Sequence, residues 1–207
     1  MQFADRNHPI TAIVYSDSAR FEVFLQETTA AMAGRGMRLA GLIQRSEPRP
    51  GRPKCDMHLL DLASGEGHRI SDDRGPHARG CVLNMDRLLR ACEKTEAGLS
   101  GLTDLLVLCK FGKAEVEGSG FRALIAKALE RSVPVLIGVP LVNLLPFRAF
   151  SGEFARVIEL SEFGSDPLAA VEIDALPTRD PMTGLHELIA GKETACRSSY
   201  LQEVSDG

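Results

Sequence analysis

Asp104–Cys109 reads D-L-L-V-L-C, one acid followed by an almost unbroken apolar run. A strand with one face in water alternates polar and apolar residues, whereas a strand covered on both faces does not. The run therefore predicts a central strand of a parallel sheet. Val133–Val139 (V-P-V-L-I-G-V) predicts a second, with Pro134 near its start, where a missing N–H is tolerated. Between them, Lys110–Gly120 reads as a glycine-punctuated loop. It leads to a helix with Phe121, Leu124, Ile125, Ala128 and Leu129 on one face. Strand, crossover and parallel strand make the βαβ unit.

The same pattern extends upstream. Ile10–Tyr15 has strand composition, and Ser16, Asp17 or Ser18 can cap the helix that follows. Phe21, Phe24, Leu25, Thr28 and Met32 recur at helical spacing until Gly34 and Gly36 supply a stop. Leu39–Ile43 reads as the next strand, and Ser46–Lys54 as a loop of prolines and cations. Met57–Leu62 and Gly67–Ile70 read as a hairpin turning through Ala63-Ser64-Gly65-Glu66. Asn84 can cap a helix whose apolar face is Met85, Leu88, Leu89 and Cys92. Downstream, a helix is expected around Phe147–Phe154 and a strand at Arg156–Leu160.

The sum is an α/β domain over residues 1–162. Its sheet is mostly parallel, with helices on both faces and an antiparallel hairpin inserted after the second strand. Residues 163–207 are interrupted by Pro167, Pro177 and Pro181, and only Leu185–Ala190 reads as a short helix. They are expected to form a loosely structured acidic tail.

Composition narrows the function without naming it. The formal charge is −4 and Trp is absent, which argues against a nucleic-acid coat or a single-strand stacking platform. No apolar run approaches the ~18 residues of a membrane span, and the first residues lack a signal peptide's apolar stretch. Five cysteines at wide spacing suit cytoplasmic thiols better than a disulfide framework. The charge is also uneven. Arg35–Lys54 holds six cations and one acid, while Phe150–Gly207 holds eleven acids and four cations.

In sheets of this kind ligands gather at the carboxyl ends of the strands. A phosphate-binding loop after the first strand would need glycines and a Lys-Ser/Thr pair. The chain has Tyr15-Ser16-Asp17-Ser18-Ala19-Arg20 instead, with no glycine and an acid that repels phosphate. Ser16 and Ser18 at the helix start still suit a smaller anion, beside the plain reading that Ser16 or Asp17 only caps the helix. Lys110 and Lys113 follow the central strand. Arg49, Arg52 and Lys54 precede Cys55, and Arg74 and Arg79 precede Cys81, in loops bearing Pro and Gly. Arginine with glycine-rich backbone N–H groups fits a tetrahedral oxyanion, and thiolates at Cys55 and Cys81 fit a soft metal. The plain alternative is solvated arginines and inert thiols. Cys92 and Cys109 read as core, and Cys196 has no activating neighbour. Glu115 and Glu117 read as a solvated pair. His8, His58, His68 and His77 form no closed zinc spacing.

Leu106–Glu117, L-V-L-C-K-F-G-K-A-E-V-E, resembles the thermophile-type nucleoside-triphosphatases, P-loop proteins with Gly-Lys-x-Glu at this point. Gly112, Lys113 and Glu115 match, and the order of elements agrees over about residues 10–160. The resemblance implies a P-loop-NTPase-like sheet. The phosphate loop is degenerate, and the acidic pair that would hold Mg²⁺ is replaced by Cys109 and Lys110. Efficient NTP hydrolysis is therefore not expected, and Mg-nucleotide is the less favoured ligand.

Four further runs carry a closer resemblance: Arg49–Met57, Asp61–Glu66, Asp73–Cys81 and Lys110–Glu115. They look like an uncharacterised bacterial domain family often found beside molybdate-transport genes. This resemblance implies a link to molybdenum uptake or use, with molybdate or tungstate as ligand. The expected function is an anion-binding or metal-sensing accessory protein in the cytoplasm, with Lys110, Lys113, Arg52, Arg74, Arg79, Ser16 and Ser18 on the anion. Two alternatives stand beside it. One is a divergent nucleotide hydrolase or transferase using Lys113 and Glu115. The other is a docking subunit for a molybdate transporter or a molybdoenzyme.

Overall fold

Ile10–Tyr15 (β1) is buried at every position because it has a strand on each side and helices above and below. The computed structural model describes residues 8–47, 56–72 and 83–162, so the expected tail lies outside the described residues. After β1 come α1 (Ser18–Gly34), β2 (Leu39–Glu47), β3 (Asp56–Asp61), β4 (Gly67–Arg69) and α2 (Met85–Gly98). Then follow β5 (Leu105–Leu108), α3 (Lys113–Val116), α4 (Arg122–Glu130), β6 (Val135–Pro140), α5 (Leu144–Ser151) and β7 (Ala155–Glu159).

The sheet has seven strands in the order β4-β3-β2-β5-β6-β1-β7. Five are parallel, and β3 and β4 join β2 as an antiparallel ribbon. This is the expected fold class. The connection from β1 to β2 runs one way across the sheet, and the later ones run the other way. Right-handed crossovers therefore put α1 on one face and α2, α4 and α5 on the opposite face.

Two glycines let backbone and ring approach where no side chain fits. A Cβ at Gly138 would lie 2.3 Å from the Phe21 ring of α1 and 2.5 Å from the Cys109 carbonyl oxygen. Gly41 has φ +126° and sits opposite Val107, whose carbonyl oxygen would lie 1.9 Å from an added Cβ.

Several expectations need correction. The reading of β2 stopped at Ile43, but the strand runs on to Glu47 because β3 pairs with it from Leu42 to Glu47. In α2 the buried residues are Leu88, Ala91, Cys92 and Thr95, and Leu89 is exposed. The Lys110–Gly120 loop contains a helical turn, α3. Helix α5 starts at Leu144, earlier than expected, with Pro146 in its first turn, where no intrahelical donor is needed.

The hairpin turn is tied to the body through buried Asp61. One carboxylate oxygen accepts from Ala63 N, Ser64 N and Ser64 Oγ, and the other accepts from Thr95 Oγ1 at 2.7 Å on α2. Burial alone would raise this carboxyl, but those donors outweigh it and hold it below the usual aspartate range.

Helices α1 and α4 end in the same way with different residues. Met37 N reaches Met32 O and Gly36 N reaches Ala33 O; Val133 N reaches Ala128 O and Ser132 N reaches Leu129 O. Both are Schellman motifs, which need a left-handed residue. Gly36 supplies it at φ +84°, whereas Ser132 is held at φ +55° with a Cβ in the way. Ser132→Gly is expected to stabilise the fold by about 0.5–1 kcal/mol, after the extra entropy of glycine in the unfolded chain is subtracted. Urea unfolding checks this, and an unchanged or lower midpoint would contradict it.

Candidate functional site

The loops after β1, β5 and β6 all leave from the carboxyl edge of the sheet, and β6 stands between the other two strands. Their residues are held by distinct devices.

Between β1 and α1 only Ser16 and Asp17 intervene. The Asp17 carboxylate accepts from Ala19 N at 2.9 Å and Arg20 N at 3.1 Å, so Asp17 is the cap among the three residues able to serve. Ser16 and Ser18 are exposed beside it. Tyr15 stacks flat on Phe21, with ring centroids 4.1 Å apart and planes 2° apart. Burial pushes the Tyr15 hydroxyl well above its usual range. Cys109 adds to that shift, and a hydrogen bond from Ser18 offsets part of it.

After β5, each residue of Cys109-Lys110-Phe111-Gly112 has a defined place. Cys109 N donates to Leu42 O at 2.9 Å. Its buried thiol is pushed up to about 12 by desolvation, with Lys110 pulling the other way, so it is inert as a nucleophile at neutral pH. Cys92 is also buried and is pushed up to about 12. Both match the core reading. Phe111 N donates to Gly138 O at 2.7 Å, and Asn143 Nδ2, from the turn after β6, donates to Phe111 O at 2.8 Å. The Phe111 ring is buried and meets Phe147 edge-on at 5.3 Å and Phe150 at 5.4 Å.

Glu115 departs from its expected role. It is 3 % exposed, not a solvated partner of Glu117. Its Oε2 accepts from Gly112 N at 2.6 Å and its Oε1 from Phe121 N at 2.9 Å. Gly120, at φ +62°, leaves room for it, since a Cβ there would lie 2.0 Å from Oε1. Burial raises the carboxyl above its usual value, while the Phe121 and Gly112 N–H groups and Lys110 pull it down. Glu117 is on the surface, 3.5 Å from Lys113 Nζ. The spacing Gly112-x-x-Glu115 is that of a helix cap and its third residue, a signal that could have revealed the clamp.

The loop so fixed presents two cations. Lys113 has its side chain 81 % exposed, and Lys110 is half-buried with its methylenes near Gly112. Of the other expected ligands, Arg52, Cys55, Arg74, Arg79 and Cys81 lie outside the described residues. The chain leaves the described set after Glu47 and re-enters at Asp56, on the carboxyl side of β2. It leaves again after Asp72 and returns at Leu83, which bridges Ser71. Among the described residues, no group of three or more His, Cys, Asp or Glu side chains is placed to hold a metal. No helix among them is long and apolar enough to cross a membrane.

Comparison with known proteins places this arrangement in a family. The model described as Protein of unknown function (DUF2478) matches residues 10–163, and the chain belongs to that family. The chain is also similar to Molybdenum import ATP-binding protein ModC 2 of Bradyrhizobium diazoefficiens, with 28% identity over 131 residues. That match takes in 63% of this chain but 15% of the relative. The chain thus spans a small part of that protein's length. No solved structure matches the chain.

Proposed function

We propose that this member of the DUF2478 family binds a tetrahedral oxyanion of the molybdate type at the carboxyl edge of its sheet. In this reading it serves bacterial molybdenum homeostasis in the cytoplasm as an accessory protein. The observation that carries the reading is the rigid loop bearing Lys110 and Lys113, anchored by Glu115, Asn143 and Gly138 O. Two lysines on a loop whose backbone is held in place, at the edge where such folds take ligands, suit a small, strongly hydrated anion. The similarity to a molybdenum import protein supplies the chemical class. Arg52, Arg74 and Arg79 would add charge, Ser16 and Ser18 would add hydroxyls, and Cys55 and Cys81 would sense or ligate metal.

The same geometry disfavours NTP hydrolysis. Two residues between β1 and α1 are too few to wrap a triphosphate, and the Asp17 carboxylate already occupies the helix N–H groups a phosphate would use. Glu115 has both oxygens committed to backbone donors, which leaves neither free to orient water.

Equilibrium dialysis against molybdate, tungstate and sulfate tests the reading. Micromolar binding is expected, with Lys110→Ala and Lys113→Ala each weakening it about tenfold, the size of one charge-assisted hydrogen bond. Absence of micromolar binding to all three anions would remove the proposal. The nucleotide reading keeps one support, the ATP-binding protein among the relatives. ATP or GTP turnover above background, lost in Lys113→Ala, would favour it instead.

A further inference from the structure

The turn after β6 carries an apolar surface that the fold leaves in water. Leu141 is 56 % exposed, Val142 86 % and Leu145 77 %, and Arg148 is exposed one turn further along α5. Single exposed apolar residues are ordinary, but three adjoining ones on a well-anchored turn mark a contact surface. The turn is anchored by Asn143, which donates to Phe111 O, and by fully buried Phe147. Arg148 supplies positive charge, while Lys113, at the start of α3, is 3.5 Å from Glu117.

The chain beyond Glu162 begins on the same edge. Strands β6 and β7 both run parallel to β1, with Pro140 opposite Tyr15 and Glu159 opposite Val14, so they end at one level. Two strand spacings separate them, about 10 Å. Residues 163–207 hold eight acids and three cations, opposite in sign to Arg148. Within them Leu185, Leu188 and Ile189 follow the i, i+3, i+4 spacing of one helical face, with Glu187 beside them. The stretch from Phe163 to Leu185 would span about 26 Å root-mean-square as a random coil, enough to reach the surface. Tethering at that length gives a local concentration on the order of millimolar, so a modest apolar contact suffices.

We infer that residues 163–207 dock on the chain's own carboxyl edge, placing Leu185, Leu188 and Ile189 against Leu141, Val142 and Leu145. Acids of the segment then face Arg148. This placement is independent of the anion reading, since it needs only the apolar surface and Arg148.

The test uses the full chain with the photo-cross-linking residue p-benzoylphenylalanine in place of Leu145, and mass spectrometry of the products. The expected result is intrachain cross-links to residues 163–207, concentrated around Leu185–Ala190. The same residue in place of Val23, exposed on α1 at the opposite face, should give none. Adding Leu188→Asp and Ile189→Asp should lower the yield about tenfold, because losing one buried aliphatic contact removes about that factor in the equilibrium constant. An unchanged melting temperature certifies that the fold is intact. Cross-links between two copies, cross-links absent from residues 163–207, or a yield unmoved by the two aspartates would each overturn the inference.

Discussion

Gly41→Ala is expected to be the most damaging small substitution in the sheet, costing at least about 3 kcal/mol. An added Cβ would lie 1.9 Å from the carbonyl oxygen of Val107 and 2.7 Å from its nitrogen and carbonyl carbon. All three are backbone atoms of a paired strand, so no rotamer change relieves the clash. The φ of +126° is itself a conformation that a side chain resists. Relief requires β2 to move off β5, and β3 and β4 are joined to the sheet only through β2. The loss therefore extends to the whole ribbon. For a chain of this size the melting temperature should fall by about 6–12 °C, at roughly 2–4 °C per kcal/mol. A variant melting within about 2 °C of wild type would show that the close approach is absent.

Glu115→Ala is expected to cost about 2–6 kcal/mol, because it leaves the Gly112 and Phe121 N–H groups without acceptors in a buried place, at about 1–3 kcal/mol each. Glu115→Gln keeps one acceptor oxygen and turns an amide donor toward the other N–H, so it should fall between alanine and wild type. The pH dependence separates burial from hydrogen bonding. Burial raises the carboxyl in the folded state, so the folded protein binds that proton more tightly than the unfolded chain does. This contribution to stability is complete below the ordinary glutamate value, about pH 4. It fades as pH rises through the higher folded value. The advantage of wild type over Glu115→Gln should therefore be largest in acid and shrink toward neutrality, as followed by urea unfolding at a series of pH values. An advantage that grows with pH would mean that the charged form is the better accommodated one.

The strands were legible wherever burial on both faces forced a continuous apolar run, as in Asp104–Cys109 and Val133–Val139. Caps were legible too, since Asp17 and Asn84 act through neighbours two or three residues away. What escaped was non-local. Gln44-Arg45-Ser46-Glu47 has no strand composition and is extended because β3 pairs with it. Gly41 and Gly138 look like ordinary residues until Val107, Cys109 and Phe21 are brought against them. Leu89 and Ala91 exchanged places because the helical phase of α2 is set by the sheet beneath it and not by hydrophobicity alone.

The candidate site divides along the same line. The place of Lys110 and Lys113 in the fold was legible because they follow an unmistakable strand. Glu115 was misread as a solvated acid because its two N–H partners are at Gly112 and Phe121, on either side of an unexpected helical turn. Its spacing from Gly112 carried the information; its charge drew the reading toward water.

The position of β1 also sets the timetable of folding. Its partners are β6 and β7, and Ile10 pairs with Val135 and Ala155. Strand β1 thus waits for the ribosome to add more than a hundred residues, on the order of ten seconds at typical elongation rates. During that interval it has α1 beside it but no native strand partner, and closing so large a loop slows folding even after synthesis is complete. An order of assembly follows. The β2–β5 half can form while the chain is still being made, β1 adds once β6 is available, and β7, whose sheet partner is β1, closes the edge after it.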